Sequence, residues 1–258
     1  MSLELLDKTR RINSLLNEQE SEKIDFTDFC RVLSHTLEVN VVLASRKGKV
    51  LGLKEREDIP VIPQLAAIRY GDYLEGQLQD RFMNILSTKE NVNLLTLGFS
   101  FESVGEYQAM IAPVCMAGIR LGSLFVYRRK IPFSIDDIIL TEYSTTVIGL
   151  AMQRAESEEI SKEQHKEQDV MAAVNTLSRL EIQAVLAVLN ELDGRQEGTL
   201  VTSRLADKVR ITRSVIVNAL KKCESAGIIQ TKSSGVKGTS VRIVNDLFSY
   251  EVIAKNIL

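Results

Sequence analysis

The spacing of apolar residues predicts a first half that contains both helices and strands. Leucine and isoleucine recur at near-helical intervals over residues 3–17, and residues 27–38 look like a second helix. Residues 41–53 form two β-rich runs around a short basic turn, which is a hairpin signal. Residues 108–129 repeat this arrangement, with a turn around Met116–Arg120 that contains glycine. The pattern is typical of helices packed on an antiparallel sheet.

A long helix is expected after the second hairpin. Ser134 and Asp137 follow Pro132 with the spacing of a capping box, and the helix can continue through residues 139–152. Residues 153–168 are strongly polar and contain neither glycine nor proline, so we interpret them as a solvated helical linker. The stretch between the hairpins, residues 55–108, is rich in helix and strand breakers, and loops of this kind often form ligand pockets.

The second half predicts a winged helix-turn-helix. Helices are expected over residues 178–192, 202–209 and 213–225, with Thr212 as the N-cap of the last. Two β-like runs follow, at 228–231 and 239–244, on either side of a basic, glycine-containing tip. We expect the core contacts of the last helix to come from five of its residues, namely Val215, Val217, Ala219, Leu220 and Cys223.

The predicted fold class is therefore α+β, with three segments. Residues 1–155 form a domain with an antiparallel sheet, and residues 156–177 form a long helical linker. Residues 178–258 form a winged helix-turn-helix DNA-binding domain, with the helix-turn-helix at about 202–221 and the wing at about 228–244.

Charge distribution supports a nucleic-acid interface in the second half. The chain has a net charge of −2, but residues 199–243 carry nine basic and two acidic residues, a local charge of +7. Such a block suits contact with phosphates. Arg213 could donate two hydrogen bonds to a guanine, whereas the lysines would contact the backbone. The predicted DNA-binding residues are Thr202, Ser203, Thr212, Arg213, Ser214, Asn218, Lys221, Lys222, Lys232 and Lys237.

Composition excludes several other classes. No apolar run approaches the length of a membrane helix and no signal peptide is recognisable, so a cytoplasmic protein without a membrane partner is expected. Three widely spaced cysteines, Cys30, Cys115 and Cys223, are expected to be buried, reduced thiols. No metal-ligand or catalytic spacing occurs, which argues against an enzyme. RNA binding is disfavoured because residues 199–243 contain no aromatic residue for stacking.

Several motifs resemble those of the CodY family of bacterial global transcriptional repressors. The most specific are ITRSVIVNAL at 211–220 and ESAG at 224–227, followed by GVKG at 235–238. The segments LDKTR, ASRKGKVLG and RLGSL, at 6–10, 44–52 and 120–124, also match. The resemblance covers nearly the whole chain and is weakest between Leu53 and Gln108.

This resemblance implies a GAF domain that senses isoleucine, leucine or valine, with GTP as a second effector and no bound cofactor. It also implies a homodimer, or a tetramer, that binds a double-stranded DNA operator, chiefly as a repressor. The family's GTP hairpin corresponds here to Ser45, Arg46, Lys47 and Lys49. Two further GTP contacts of the family fall at Ala151 and Glu156, where this sequence departs from the pattern.

The amino-acid pocket of the family is expected to contain an arginine for the ligand carboxylate and aromatic residues around its side chain. The corresponding candidates are Arg69, Phe82, Phe99, Ser100 and Phe101, although each aromatic residue also suits ordinary core packing. Because this segment departs from the family, a DNA-binding regulator whose GAF domain has lost or changed its effector is the alternative. An enzyme with a GAF-like catalytic domain is a more remote one.

Overall fold

The computed structural model describes residues 3–17, 25–100, 107–233 and 238–255. The chain divides into two units, Met1–Ser157 and Glu158–Leu258. Helix α4 (Ile135–Asn175) is continuous, so the polar segment that was interpreted as a helical linker is helical up to Asn175.

A four-stranded antiparallel sheet forms the centre of the first unit. Its strands are β1 (Asn40–Ser45), β2 (Val50–Lys54), β3 (Tyr107–Met116) and β4 (Ile119–Arg129), in the order β2-β1-β4-β3. Both predicted hairpins are confirmed. The second hairpin turns at Ala117 and Gly118, whose φ angles of 49° and 77° are those that a tight two-residue turn requires.

The two faces of this sheet are covered by different kinds of structure. Side chains alternate along β1, so Val41 and Leu43 lie in one core and Val42 and Ala44 in the other. The first core also contains residues of α1 (Leu3–Asn17), α2 (Phe26–Leu37) and the start of α4. The opposite core is completed by the segment between the hairpins.

That segment is more ordered than its composition suggested. It contains a short 3₁₀ turn, Pro63–Leu65, and helix α3 (Gly76–Met83). Ile62 and Phe82, with 0% and 1% of their surface exposed, are among the residues that it packs against the sheet. The breaker-rich stretch therefore forms a second layer of the domain.

The second unit has the element order of a winged helix. Its elements are α5 (Arg179–Leu192), β5 (Glu197–Leu200), α6 (Thr202–Val209), α7 (Arg213–Ser225), β6 (Ile229–Ser233), β7 (Thr239–Ile243) and α8 (Tyr250–Lys255). The three predicted helices and the two wing strands are confirmed. Strand β5 was not predicted, and it pairs with β7 to give the sheet order β5-β7-β6.

Local capping explains where the two principal helices begin. At α5, the hydroxyl of Ser178 accepts a hydrogen bond from the Glu181 N–H, and the carboxylate of Glu181 accepts one from the Ser178 N–H. Ser134 and Asp137 form the same reciprocal pair at α4, as the sequence predicted. Each pair satisfies backbone donors that the first turn leaves free.

Two burial predictions were wrong. Val217 was expected in the core of α7, but it is only half-buried and lies outside the core cluster, where Ile216 is fully buried instead. Cys115 was expected to be buried, but it is exposed, at the point where the register between β3 and β4 shifts. Among the described residues, no helix is long and apolar enough to cross a membrane.

Candidate nucleic-acid interface and effector site

A tight turn places α7 after α6. Arg210 ends α6 in the left-handed conformation, with φ at 56°, and the Ile211 N–H donates to the Ala206 carbonyl at 3.1 Å. Thr212 occupies the N-cap position of α7 with extended backbone angles, as predicted. Its hydroxyl lies 2.9 Å from that of Ser214 and makes no side-chain cap bond. The Val215 N–H already donates to the Thr212 carbonyl at 3.1 Å, which leaves the first two backbone N–H groups of α7 for an anion.

The two faces of α7 differ sharply in burial. Ile216, Ala219, Leu220 and Cys223 are buried and repeat at intervals of three and four residues. The opposite face presents Ser214, Val217, Asn218 and Lys221, which have the same spacing. We call these four residues the outer stripe of α7. The stripe places a hydroxyl, an amide and an ammonium group on one exposed ridge, which suits contact with base edges and phosphates.

The structure leaves most of the predicted DNA contacts exposed. Thr212, Arg213 and Ser214 surround the start of α7, Asn218 and Lys221 lie further along it, and Ser203 and Lys232 are exposed on α6 and β6. Thr202 was predicted to contact DNA, but the first turn of α6 packs inward and leaves only 5% of this residue exposed. The prediction for Thr202 is therefore corrected. Lys237 lies outside the described residues.

Lys222 has a role that the sequence did not reveal. Its ammonium donates to the Glu181 carboxylate at 2.7 Å and to the Thr176 carbonyl at 3.0 Å. These partners lower the availability of Lys222 for phosphate, in contrast to the neighbouring Lys221 on the outer stripe. Lys222 also lowers the pKa of Glu181, mainly through this hydrogen bond, with further help from the Ser178 N–H.

Hydrogen bonds join the wing directly to α7. The Glu224 carboxylate accepts hydrogen bonds from the Thr231 N–H at 2.6 Å and from the Thr231 hydroxyl at 2.9 Å. Gln230 on β6 lies opposite Arg242 on β7, and both are exposed. This cross-strand pair was not among the predicted contacts. Side chains alternate along each strand, so Thr231 on β6 and Val241 on β7 point to one face and their neighbours Gln230 and Arg242 to the exposed one. This alternation would have indicated the pair.

The basic turn between β1 and β2 is held in one shape by its own hydrogen bonds. The Ser45 N–H donates to the Lys49 carbonyl at 2.8 Å, and the Lys49 N–H donates to the Ser45 hydroxyl at 3.1 Å. Gln79 on α3 donates to the Arg46 carbonyl at 2.9 Å. Arg46, Lys47 and Lys49 are exposed, so three positive charges surround a fixed backbone turn. Such a turn can attract phosphate.

The candidates for the amino-acid pocket divide between surface and core. Arg69 is exposed, and its guanidinium donates to the carbonyls of Ala66 and Ile68 at 2.8 and 2.9 Å. Phe82 and Phe99 are 1% and 3% exposed, and their rings lie 5.1 and 5.5 Å from that of Phe125. Both therefore take part in an aromatic core cluster.

Ser100, the remaining described candidate, is exposed, and its N–H donates to the side chain of Gln64 at 2.9 Å. Phe101 lies outside the described residues. A cavity of about 10 Å³, lined by Asn40, Leu65, Ile68 and Tyr127 among others, has room for about one water molecule.

Comparison with known proteins identifies the family of the chain. Residues 4–176 match the family model of the CodY GAF-like domain, and residues 196–254 match that of the CodY helix-turn-helix domain. The chain belongs to the CodY family. The domain matches cover both the sheet of the first unit and the helix-turn-helix and wing of the second.

Similar CodY proteins extend over nearly the whole chain. The protein of Clostridium tetani is 42% identical over 253 residues, which cover 94% of this chain and 95% of that protein. The protein of Clostridium botulinum strain Okra is 41% identical over 247 residues, with the same coverage. Both are named global transcriptional regulator CodY. The chain is accordingly a transcription regulator with a DNA-binding helix-turn-helix domain, and it is not an enzyme.

A solved structure is similar to the first part of the chain. It is described as the cofactor-binding GAF domain of the nutrient sensor CodY from Clostridium difficile. Its sequence is 28% identical, and the match covers 59% of this chain and 99% of that domain, with a TM-score of 0.43.

The two positions at which the resemblance implies further GTP contacts have distinct environments. Ala151 on α4 is 2% exposed and belongs to the core on the helical face of the sheet. Glu156, further along the same helix, is exposed and brings a negative charge. Neither side chain is suited to donate a hydrogen bond to a phosphate.

Proposed function

We propose that this CodY protein binds duplex DNA operators through α7 and the wing, chiefly as a repressor. The observation that carries the proposal is the outer stripe of α7, an exposed ridge of recognition groups opposite a fully buried face. A helix of this kind fits the major groove, with its first residues directed at base edges. Arg213 and Ser214 would contact bases there, and Thr212 would contact a base edge or phosphate.

Other exposed residues would position the protein without selecting a sequence. Lys221, Lys232 and Ser203 suit phosphate contacts, because ammonium and hydroxyl groups bind phosphate oxygens of any sequence. Asn218 could donate and accept a hydrogen-bond pair with adenine. The functional experiment is a binding selection from random duplexes, followed by affinity measurements at several salt concentrations. Equal affinity for selected and random duplexes would contradict operator recognition.

We further propose that branched-chain amino acids act as effectors and raise operator affinity. Isoleucine, leucine or valine would present a carboxylate to Arg69 and an aliphatic side chain to Phe82, Phe99, Ser100 and Phe101. GTP would bind at Ser45, Arg46, Lys47 and Lys49, where three exposed bases surround the turn. The regulator would act as a homodimer or tetramer, the arrangement that its resemblance to the family implies.

A second candidate function is a DNA-binding regulator whose GAF domain takes a changed effector or none. One observation favours it, since the guanidinium of Arg69 already donates to two backbone carbonyls. Calorimetric titration with isoleucine, leucine, valine and GTP separates the two candidates. Operator affinity measured at fixed salt with and without isoleucine then tests whether binding has a regulatory effect.

A further inference from the structure

Val217 is the one apolar member of the outer stripe of α7. It lies one helical turn from both Ser214 and Lys221 and is directly followed by Asn218, and these three polar neighbours are exposed. Val217 itself is half-buried and does not belong to the core cluster that contains Ile216 and Leu220. Its two methyl groups are therefore set among polar groups on the ridge that faces away from the core.

The fold gains little from a valine at this position. A β-branched residue loses side-chain freedom in a helix, and its helix propensity is lower than that of alanine, lysine or glutamine. The usual compensation for such a residue is burial, which Val217 obtains only in part. The side chain instead offers an apolar contact of fixed shape to whatever covers the outer stripe.

We propose that Val217 contacts the C5-methyl group of a thymine in the operator and so selects a T·A pair. This inference rests on the proposed function, because it places the outer stripe in the major groove. Of the four base pairs, only those with thymine present a methyl group there, and an aliphatic side chain excludes water from it. Asn218 is adjacent and suits adenine, so the two residues together favour A·T-rich steps.

The proposal is tested by removing the methyl group from the DNA. A duplex is first selected with the wild-type protein, and each thymine is then replaced singly by deoxyuridine, which pairs identically but lacks the methyl. At one position in each half-site, the affinity of the wild-type protein is expected to fall about four-fold, the value of one buried methyl group. Val217→Ala is expected to bind the unmodified operator more weakly and to show no further loss at that position.

Two further variants keep this test decisive. Ile131→Ala removes a branched aliphatic side chain at a site in the first unit that is 62% exposed, and it should respond to deoxyuridine as the wild type does. Val217→Ser removes both methyl groups and replaces Val217→Ala if the latter fails to fold.

Each outcome has a defined meaning. A wild-type protein that selects no duplex sequence contradicts the proposed function and with it the role of Val217. If the wild type selects an operator but tolerates every deoxyuridine, the assignment of Val217 is wrong while operator recognition stands. The assignment is also wrong if the same deoxyuridine weakens Val217→Ala and the wild type equally.

Discussion

The ammonium of Lys222 lies 2.7 Å from Oε2 of Glu181, and this ion pair joins α7 to the first turn of α5. The same oxygen accepts the Ser178 N–H at 2.7 Å, so one carboxylate both caps α5 and pairs with α7. Glu181 has 10% of its side-chain surface exposed, and Lys222 has 42%. The pair fixes α7 to the helix that packs behind it.

Lys222 and Lys221 are expected to respond differently to the same substitution. Lys222→Met should lower the free energy of unfolding by roughly 1 kcal/mol, a modest value because the ammonium is partly solvated. Lys221→Met should leave stability unchanged but weaken binding to all duplexes and reduce the salt slope by about 1. Thermal unfolding and binding at several salt concentrations give both quantities. If Lys222→Met also reduces the salt slope of DNA binding, Lys222 contacts phosphate.

The Glu181 ion pair also predicts a pH dependence of stability. The pKa of Glu181 is lowered from its ordinary value of 4.5, mainly by the hydrogen bond from Lys222. A carboxyl group with a lowered pKa stabilises the fold above its unfolded-state pKa, and this contribution disappears as the pH falls through its folded-state pKa. Glu181→Gln retains a capping side chain without the charge. Its deficit in unfolding free energy should be full at pH 7 and shrink below pH 4.5, which denaturant titrations at several pH values can measure.

Much of the second unit could be predicted because its local signals agree with its packing. Asp193 and Gly194 mark the end of α5 by chemistry that acts within a few residues. The choice between Ile216 and Val217 for the core could not be predicted in this way. Both are β-branched and adjacent, and only the direction from which α5 and β6 approach decides which is buried.

The first unit shows the limits of sequence patterns more clearly. Its hairpins have period-two alternation and tight turns, so they were predicted. Helix α3 begins at Gly76 without a side-chain cap bond and spans eight residues, so it lacks the usual local signals. Its position depends on distant partners such as Arg120, which follows it by almost forty residues.

Arg120 is expected to hold the end of α3 against the sheet. Its guanidinium donates to the carbonyls of Ile85 and Phe82 at 2.6 and 3.2 Å and to the Ser123 hydroxyl at 2.9 Å. Arg120→Met keeps the aliphatic stem but removes these donors, and should cost roughly 2–3 kcal/mol of stability. Hydrogen exchange should accelerate in α3 more than in α2. Equal acceleration throughout the unit would show that Arg120 stabilises the whole domain rather than α3.

Substitutions in the aromatic core cluster and at Arg69 should have different effects on stability and on effector binding. Phe82→Ala removes a buried ring and is expected to cost roughly 3–5 kcal/mol. Arg69→Ala, at an exposed position, should change stability by less than about 0.5 kcal/mol. If Arg69 binds the ligand carboxylate, the same variant abolishes isoleucine binding in calorimetry. Unchanged isoleucine affinity would remove Arg69 from the pocket, whereas a wild-type protein without isoleucine binding favours the changed-effector candidate.

Arg213 provides the most direct test of base recognition, because it is exposed at the first position of α7 beside the N-cap Thr212. A guanidinium at this point can donate two hydrogen bonds to O6 and N7 of a guanine, an arrangement that no other base offers. Arg213→Ala should therefore cost roughly 1–3 kcal/mol of operator affinity and relax selectivity at one base pair.

The measurement for Arg213 compares the wild type and Arg213→Ala on operators that differ at single positions and on random duplexes. Arg213→Lys is the matched control, since it keeps the positive charge but loses the planar pair of donors. Recovery of random-duplex binding with Lys, without recovery of selectivity, assigns the base contact to the guanidinium geometry. If Arg213→Ala loses the same affinity for every duplex, Arg213 contacts phosphate, and base selection must come from the outer stripe.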